Sequence, residues 1–263
     1  MVGRAIVSLC KRIRRRRFLG SIESSKDIVF VYHSIGEDAS SNFWGNISEE
    51  EFHKHVKFFS ENKEVVSLNN LKEESRNQRV VLTFDDGLRS YYDTALPILE
   101  RYELPSTVFV CPFLSWEEES KFKIDHNIKK EGRILMSGRE IEKISSLKNV
   151  EIGNHTLDHQ NLRYVHEHKD LKKQIVESKS QIERTCGIRV KSFSFPYGGY
   201  NKRSLSMVKR SHDVSVGGGG VLVTDAESMH VLPRCHGHVS IDDIKYYMSY
   251  TSHVASKIEN TFK

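Results

Sequence analysis

Val80-Val81-Leu82-Thr83-Phe84 runs without a break into Asp85-Asp86 and stops at Gly87. An apolar, β-branched run of this length reads as a buried strand, and the glycine permits a tight turn directly after it. Side chains alternate along an extended segment, so the two neighbouring carboxylates aim in different directions at the strand's C-terminal end. One of them can grip a cation while the other faces a substrate.

The rest of the chain repeats that rhythm of short β-branched runs and amphipathic stretches. Ile28 to His33 reads as a buried strand. Ser48 to Asn62 carries Phe52, Val56 and Phe59 at helical spacing, with Ser48 placed to cap toward Glu51. Beyond the Asp-Asp strand come a helix around Ser90 to Arg101 and a strand from Thr107 to Cys111. Pro112 to Gly132 is polar, carries Trp116 and Glu117-Glu118-Glu119, and reads as a long surface insertion. A capping-box helix begins at Ser137, and Val150-Glu151-Ile152 is a strand. Lys169 to Cys186 is a helix with Leu171, Ile175, Ser178 and Ile182 on one face, stopped by Gly187. Phe193 to Phe195 and Val214 to Val216 are strands on either side of a helix capped by Asn201. A four-glycine turn from Gly217 to Gly220, a strand from Val231 to Arg234 and a helix from about Ile241 to Ser252 follow.

Repeated β-then-α units without a linker argue for one parallel-sheet domain over residues 27–255, between a basic extension (1–26) and a short tail (256–263). A barrel is favoured over an open sheet because His33, Asp85-Asp86, His155, Pro196-Tyr197 and Arg234 all fall at strand C-terminal ends, which a barrel gathers on one face. The glycine run has neither the spacing nor the following helix of a dinucleotide fingerprint.

Composition narrows the class. With 38% hydrophobic and 29% charged residues, the chain is neither disordered nor membrane-spanning in character. The net charge of +5 is largely local: Lys11, Arg12 and Arg14 to Arg17 supply six positive charges, and the remainder is near neutral, against a nucleic-acid-binding body. Ala5 to Cys10 is too short for an export core and precedes the charges instead of following them. The expectation is therefore a cytoplasmic protein, or one peripheral to the cytoplasmic membrane face through residues 4–18 resting on anionic lipid. Cys10, Cys111, Cys186 and Cys235 are scattered, without a CxxC pair, and read as reduced thiols.

Gly153-Asn154-His155-Thr156-Leu157-Asp158-His159 supplies two imidazoles four positions apart. A turn or helix there would bring both onto one cation, and one carboxylate with two histidines leaves room for a water. A lone HxxxH is a weak signal among thirteen histidines, and His126 or the His166/His168 pair are rivals. The strand before His155 favours His155 and His159.

Thr83 to Gly87 together with His155 to His159 resembles the first two signature motifs of the polysaccharide deacetylase family (NodB homology, carbohydrate esterase family 4). Phe195-Pro196-Tyr197-Gly198 resembles the third. The likeness spans roughly residues 27–240. It implies a distorted (β/α) barrel of about seven parallel strands, NodB-like, that removes N-acetyl groups from amino sugars of a polysaccharide or lipid-linked glycan. It further implies Asp86, His155 and His159 as metal ligands, Asp85 as general base, Thr156 as a loop-steadying residue and the Tyr197 N–H as oxyanion donor. Zinc is the default cation, with Co²⁺, Ni²⁺ or Fe²⁺ as substitutes. A small-amide hydrolase such as a deformylase, or an inactive glycan-binding module, are the alternatives on the same scaffold.

Two departures stand out. Many members take a general acid from a Leu-x-His motif near the C-terminus; here Val29 to Ser34 resembles the circularly permuted branch, whose Tyr-His strand comes first. His33 is the expected acid, with His236 and His238 as rivals. The third motif often begins with an arginine that pairs with the base, and this chain has Ser194 there. Arg234 is the candidate to supply that charge from elsewhere. The sugar and the oligomeric state are not legible.

Overall fold

The computed structural model describes residues 27–36, 45–72, 75, 77–125, 132–218 and 229–249. The basic extension and its lipid contact, His126, Gly219-Gly220, the end of the last helix and the C-terminal tail lie outside the described residues.

The strand alternation produces an all-parallel sheet. Its strands are β1 (Ile28–Tyr32), β2 (Glu64–Val65), β3 (Arg79–Phe84), β4 (Ser106–Val110), β5 (Val150–Asn154), β6 (Ser192–Ser194), β7 (Val214–Val216) and β8 (Cys235–His236). The order is β7-β6-β5-β4-β3-β1-β8, with β2 beside the first residues of β3. The segment before β8 bridges back to the other edge: Leu232 pairs with Val216, and its N–H and C=O bond to Ser215 and Gly217. Three residues later Cys235 and His236 pair with Phe30 and Val31 of β1. One stretch of chain thus lies against both β7 and β1 and closes a distorted parallel (β/α) barrel.

Alternation divides the core. The even-numbered residues of β1 and β3 (Ile28, Phe30, Tyr32, Val80, Leu82, Phe84) face outward and pack with Phe52, Val56 and Phe59 of α1 (Glu49–Asn62). The odd-numbered Val29 and Val81 join Phe109, Val214, Val216 and Leu232 in an apolar floor. Higher in the same interior the residues turn polar: Thr83, Asp85, Ser194 and Arg234 are all buried. β5 and β4 meet closely there, since a Cβ on Gly153 would lie 2.3 Å from the Phe109 ring. Only a residue without a side chain fits at that crossing.

Three expectations need correction. Pro112 to Gly132 is not a simple surface insertion: Pro112–Trp116 and Glu119–Asp125 are helical, and they bury Leu114 and Phe122 against Leu88, Cys111, Ile134 and Leu135. The apolar members of this polar-looking stretch are spaced to share one inner face; residues 126–131 lie outside the described residues. The late strand is Cys235–His236 and not Val231 to Arg234, because only there does the chain run beside β1. Two of the helices, 91–101 and 168–186, contain a π-helical turn, at Tyr91–Ala95 and Lys173–Glu177. Among the described residues no helix is long and apolar enough to cross a membrane.

Candidate functional site

β3 ends by handing Asp85 and Asp86 to the barrel mouth in opposite senses. The Asp85 N–H still bonds to the Tyr32 carbonyl, so this residue continues the ladder and its side chain points inward. Asp86 has left the strand, with a left-handed φ of 69° followed by Gly87 at 66°. Its Oδ1 lies 3.3 Å from His155 Nε2 and 3.1 Å from His159 Nε2.

The histidine segment does the matching work without being a helix. His155 directly follows β5, and left-handed backbone at Thr156 (φ 67°) and His159 (φ 64°) coils Thr156 to His159 back on itself. Two hydrogen bonds from one side chain hold that coil: Gln174 Oε1 accepts from the Leu157 N–H at 3.0 Å, and its Nε2 donates to Asp158 Oδ1 at 2.7 Å. Lys121 pairs with the other oxygen of Asp158. His155 Nδ1 lies 2.8 Å from the Ser194 carbonyl, an acceptor that can only take a proton, so Nδ1 is protonated and Nε2 is the nitrogen turned toward Asp86.

One atom each from Asp86, His155 and His159 fall within 4.8 Å of one another, among the described residues. This donor set suits a divalent cation of borderline softness. It offers two imidazole nitrogens and one carboxylate, with the tautomer of His155 already fixed and no lysine or arginine in the trio. Burial would push Asp86 upward, but His159 and His155 hold it well below the ordinary carboxylate range, so the carboxylate is ionised. The rivals His166 and His168 are exposed and stand outside this trio.

Arg234 takes the place left by Ser194. Its Nη1 donates to Asp85 Oδ1 at 2.8 Å and its Nη2 to Oδ2 at 2.6 Å, a two-pronged pairing that fixes the carboxylate plane. The guanidinium is itself anchored through Nε to the Gly217 carbonyl and through Nη1 to Thr83 Oγ1. Ser194 Oγ completes the ring, donating to Asp85 Oδ2 at 3.2 Å and accepting from Arg234 Nη2 at 3.0 Å. Burial raises Asp85, yet Arg234 and His155 outweigh it and hold its pKa at about 2.

Two further groups frame the mouth. His33 leaves β1 and is partly buried; burial lowers its pKa while the carboxylates of Asp86 and Asp85 pull it upward. His236 and His238 stand on β8 and just after it, their rings 5.0 Å apart, and burial together with the charge of His33 lowers the pKa of both. Tyr197 sits in a short turn with left-handed backbone (φ 58°), its ring edge-on to His159 at 4.9 Å between centroids. Among the described residues, four of the six non-glycine residues with positive φ (Asp86, Thr156, His159, Tyr197) therefore border one small volume, the usual sign of backbone held by function instead of propensity. Gln174 has no signal in the sequence; a glutamine on a helix reads as solvent-facing until the fold turns it inward.

A parallel barrel with a carboxylate–bis-histidine trio beside an arginine-clamped aspartate defines a hydrolase-like mouth at the strand C-termini. The polysaccharide deacetylase family model matches residues 72–213, more than half of the chain, and the chain belongs to that family. It is 23% identical over 190 residues to YxkH of Bacillus subtilis (strain 168), which covers 70% of this chain and 61% of YxkH. It is 23% identical over 213 residues to a poly-beta-1,6-N-acetyl-D-glucosamine N-deacetylase of Staphylococcus aureus (strain MRSA252), covering 76% of this chain and 67% of that enzyme. The fold is shared with the Streptococcus pyogenes deacetylase PplD in complex with acetate (TM-score 0.71, 18% identity, 85% of this chain and 98% of that one). It is also shared with IcaB from Ammonifex degensii (TM-score 0.64, 17% identity, 90% and 98%).

Proposed function

We propose that this protein removes N-acetyl groups from amino sugars of a polysaccharide or lipid-linked glycan, using a divalent cation held by Asp86, His155 and His159. The observation that carries the reading is the buried Asp85–Arg234 pair set directly beside that trio. Two adjacent residues of one strand end thereby divide the labour between ligand and base.

Zinc is the expected cation; when bound, it polarises the acetamide carbonyl and acidifies an attacking water. Asp85 accepts that water's proton. Its low pKa keeps it ionised across the neutral range, and Arg234, bonded to both oxygens, fixes the carboxylate plane. The Tyr197 N–H donates to the oxygen that becomes negative as the carbonyl carbon turns tetrahedral. His33 then delivers a proton to the sugar nitrogen as the C–N bond breaks, so the products are acetate and a free amine. A lowered pKa makes His33 the stronger acid once protonated. Ser194 and Thr83 take no part in bond making; they hold Arg234 and Asp85 in plane.

The test combines metal analysis of purified protein with acetate release from a panel of N-acetylhexosamine oligomers. About one bound cation per chain and acetate release that stops in His33→Ala, with metal content kept, are expected. Metal-free protein that gains no activity with any added cation would sink the reading.

A further inference from the structure

The helix over 168–186 widens at Lys173–Glu177 into its π turn, and that turn faces the loop that carries the two histidines. Such turns are rare and recur at functional sites. The other one, Tyr91–Ala95, sends Tyr91 into the apolar core against Phe84, so a widened turn is no functional mark by itself. What sets Lys173–Glu177 apart is what it touches.

Side-chain bonds tie this turn, and Ser178 directly after it, to both flanks of the loop. Ahead of His155, Asn154 Nδ2 donates to the Ile175 carbonyl at 2.9 Å, and Asn154 Oδ1 lies 3.0 Å from the Ser178 hydroxyl. Beyond His155, Gln174 Oε1 accepts from the Leu157 N–H and Gln174 Nε2 donates to Asp158 Oδ1. Gln174 is 4% exposed and Asn154 is fully buried, so water is a poor substitute for either amide.

The two histidines depend on this clamp unequally. His155 directly follows β5, and its ring is fixed by the Ser194 carbonyl. His159 lies four residues further, past the left-handed backbone of Thr156, and its ring meets those of Phe122 and Tyr197 edge to face. Ring contacts of that kind tolerate a small shift, whereas the bonds at Leu157 and Asp158 fix the path of the chain that delivers His159.

We propose that Gln174 is a positioning residue: acting through Leu157 and Asp158, it holds His159 at the reach from which His159 and Asp86 grip the cation. The inference rests on the deacetylase reading for its metal and extends it to a residue outside the trio.

Three full-length variants test it. Gln174→Met keeps the volume and removes both bonds. Gln174→Glu loses the donor to Asp158 and sets two carboxylates together. Gln174→Glu combined with Asp158→Asn exchanges donor and acceptor: the new carboxylate accepts from the Leu157 N–H and from the new amide, so both bonds return. Zinc affinity is read by competition with a chromogenic chelator, and coordination by the visible absorption of the cobalt-loaded proteins. Each single variant is expected to bind zinc roughly ten- to hundred-fold more weakly and to change the cobalt spectrum. The exchange variant is expected to recover both. Arg79→Met, which loosens the fold at the other end of β3, should keep wild-type zinc affinity. An equal loss in Arg79→Met would mean general loosening and overturn the assignment. So would wild-type affinity in the single variants, or an exchange variant no better than Gln174→Glu. Should Gln174→Met not fold, Gln174→Glu against the exchange variant decides alone. A wild type that binds neither zinc nor cobalt would sink the metal reading and this role with it, whereas equal binding by wild type and variants sinks only the role of Gln174.

Discussion

β3 carries an arginine–aspartate fork at each end, and the two behave differently. At its start, Arg79 Nη2 donates to Asp27 Oδ2 at 2.7 Å, its Nε reaches both carboxylate oxygens at 3.2 Å, and its remaining N–H groups bond to the carbonyls of Asn70 and Leu71. Just past its end, Asp85 receives Arg234 with comparable geometry. The first pair sits at the rim: the Asp27 side chain is 18% exposed and also caps the Arg79 backbone N–H. The second is sealed, with side-chain exposures of 4% and 5%, and its aspartate looks across to His155. The same pair of residue types thus fastens a strand in one place and holds a sealed carboxylate ionised in the other. What differs is the neighbourhood, apolar floor below and converging imidazoles above.

That contrast can be broken experimentally. The largest effect is expected from the trio itself: His159→Ala, or chelation of the wild type, should abolish acetate release and leave the fold intact by circular dichroism. Arg234→Met should come next, lowering kcat about 10²–10⁴-fold and destabilising the protein by about 3–5 kcal/mol in urea titrations, because Asp85 is left buried without its partner. Arg79→Met should cost about 1–3 kcal/mol in the same titration, since water reaches Asp27, and leave kcat unchanged. If Arg79→Met impaired turnover as much as Arg234→Met, the two forks would not be distinct. Gly153→Ala, which would drive a methyl into the Phe109 ring where floor and mouth meet, should cost about 1–3 kcal/mol.

The smallest effect concerns protons. His55 and His212 are buried and their pKa values are lowered by burial, to about 4 and about 3. Both histidines are neutral in the fold, whereas an unfolded chain takes up protons below about 6.5. The stability they contribute is therefore complete above that pH and declines as pH falls toward 4 and then 3. Moving from pH 7.5 to 5.5 should lower unfolding stability by about 1–2 kcal/mol per histidine at most, and His55→Phe should flatten that slope.

Much of the site was legible because its signals are local. Asp85, Asp86 and Gly87 announce a strand end, and His155 and His159 are close enough in sequence to be read as one unit. The strand sequence of the barrel follows from hydrophobic alternation, which is a property of short windows. What escaped was either distant or disguised. The Asp85–Arg234 contact joins residues 149 positions apart, so the sequence could nominate Arg234 but not seat it. Leu114 and Phe122 are embedded in acidic and lysine-rich surroundings that masked their common face. Gln174 and the π turns follow from tertiary packing, which no window of sequence contains.

The segment that closes the barrel also brings Arg234. During synthesis the ribosome delivers β3 and its twin aspartates long before residue 234 emerges. A chain that ends between residues 159 and 234 contains all three members of the histidine trio, yet its Asp85 lacks the guanidinium that orients it. The clamp on Asp85 is thereby tied to completion of the ring, because Arg234 lies in the segment that closes it.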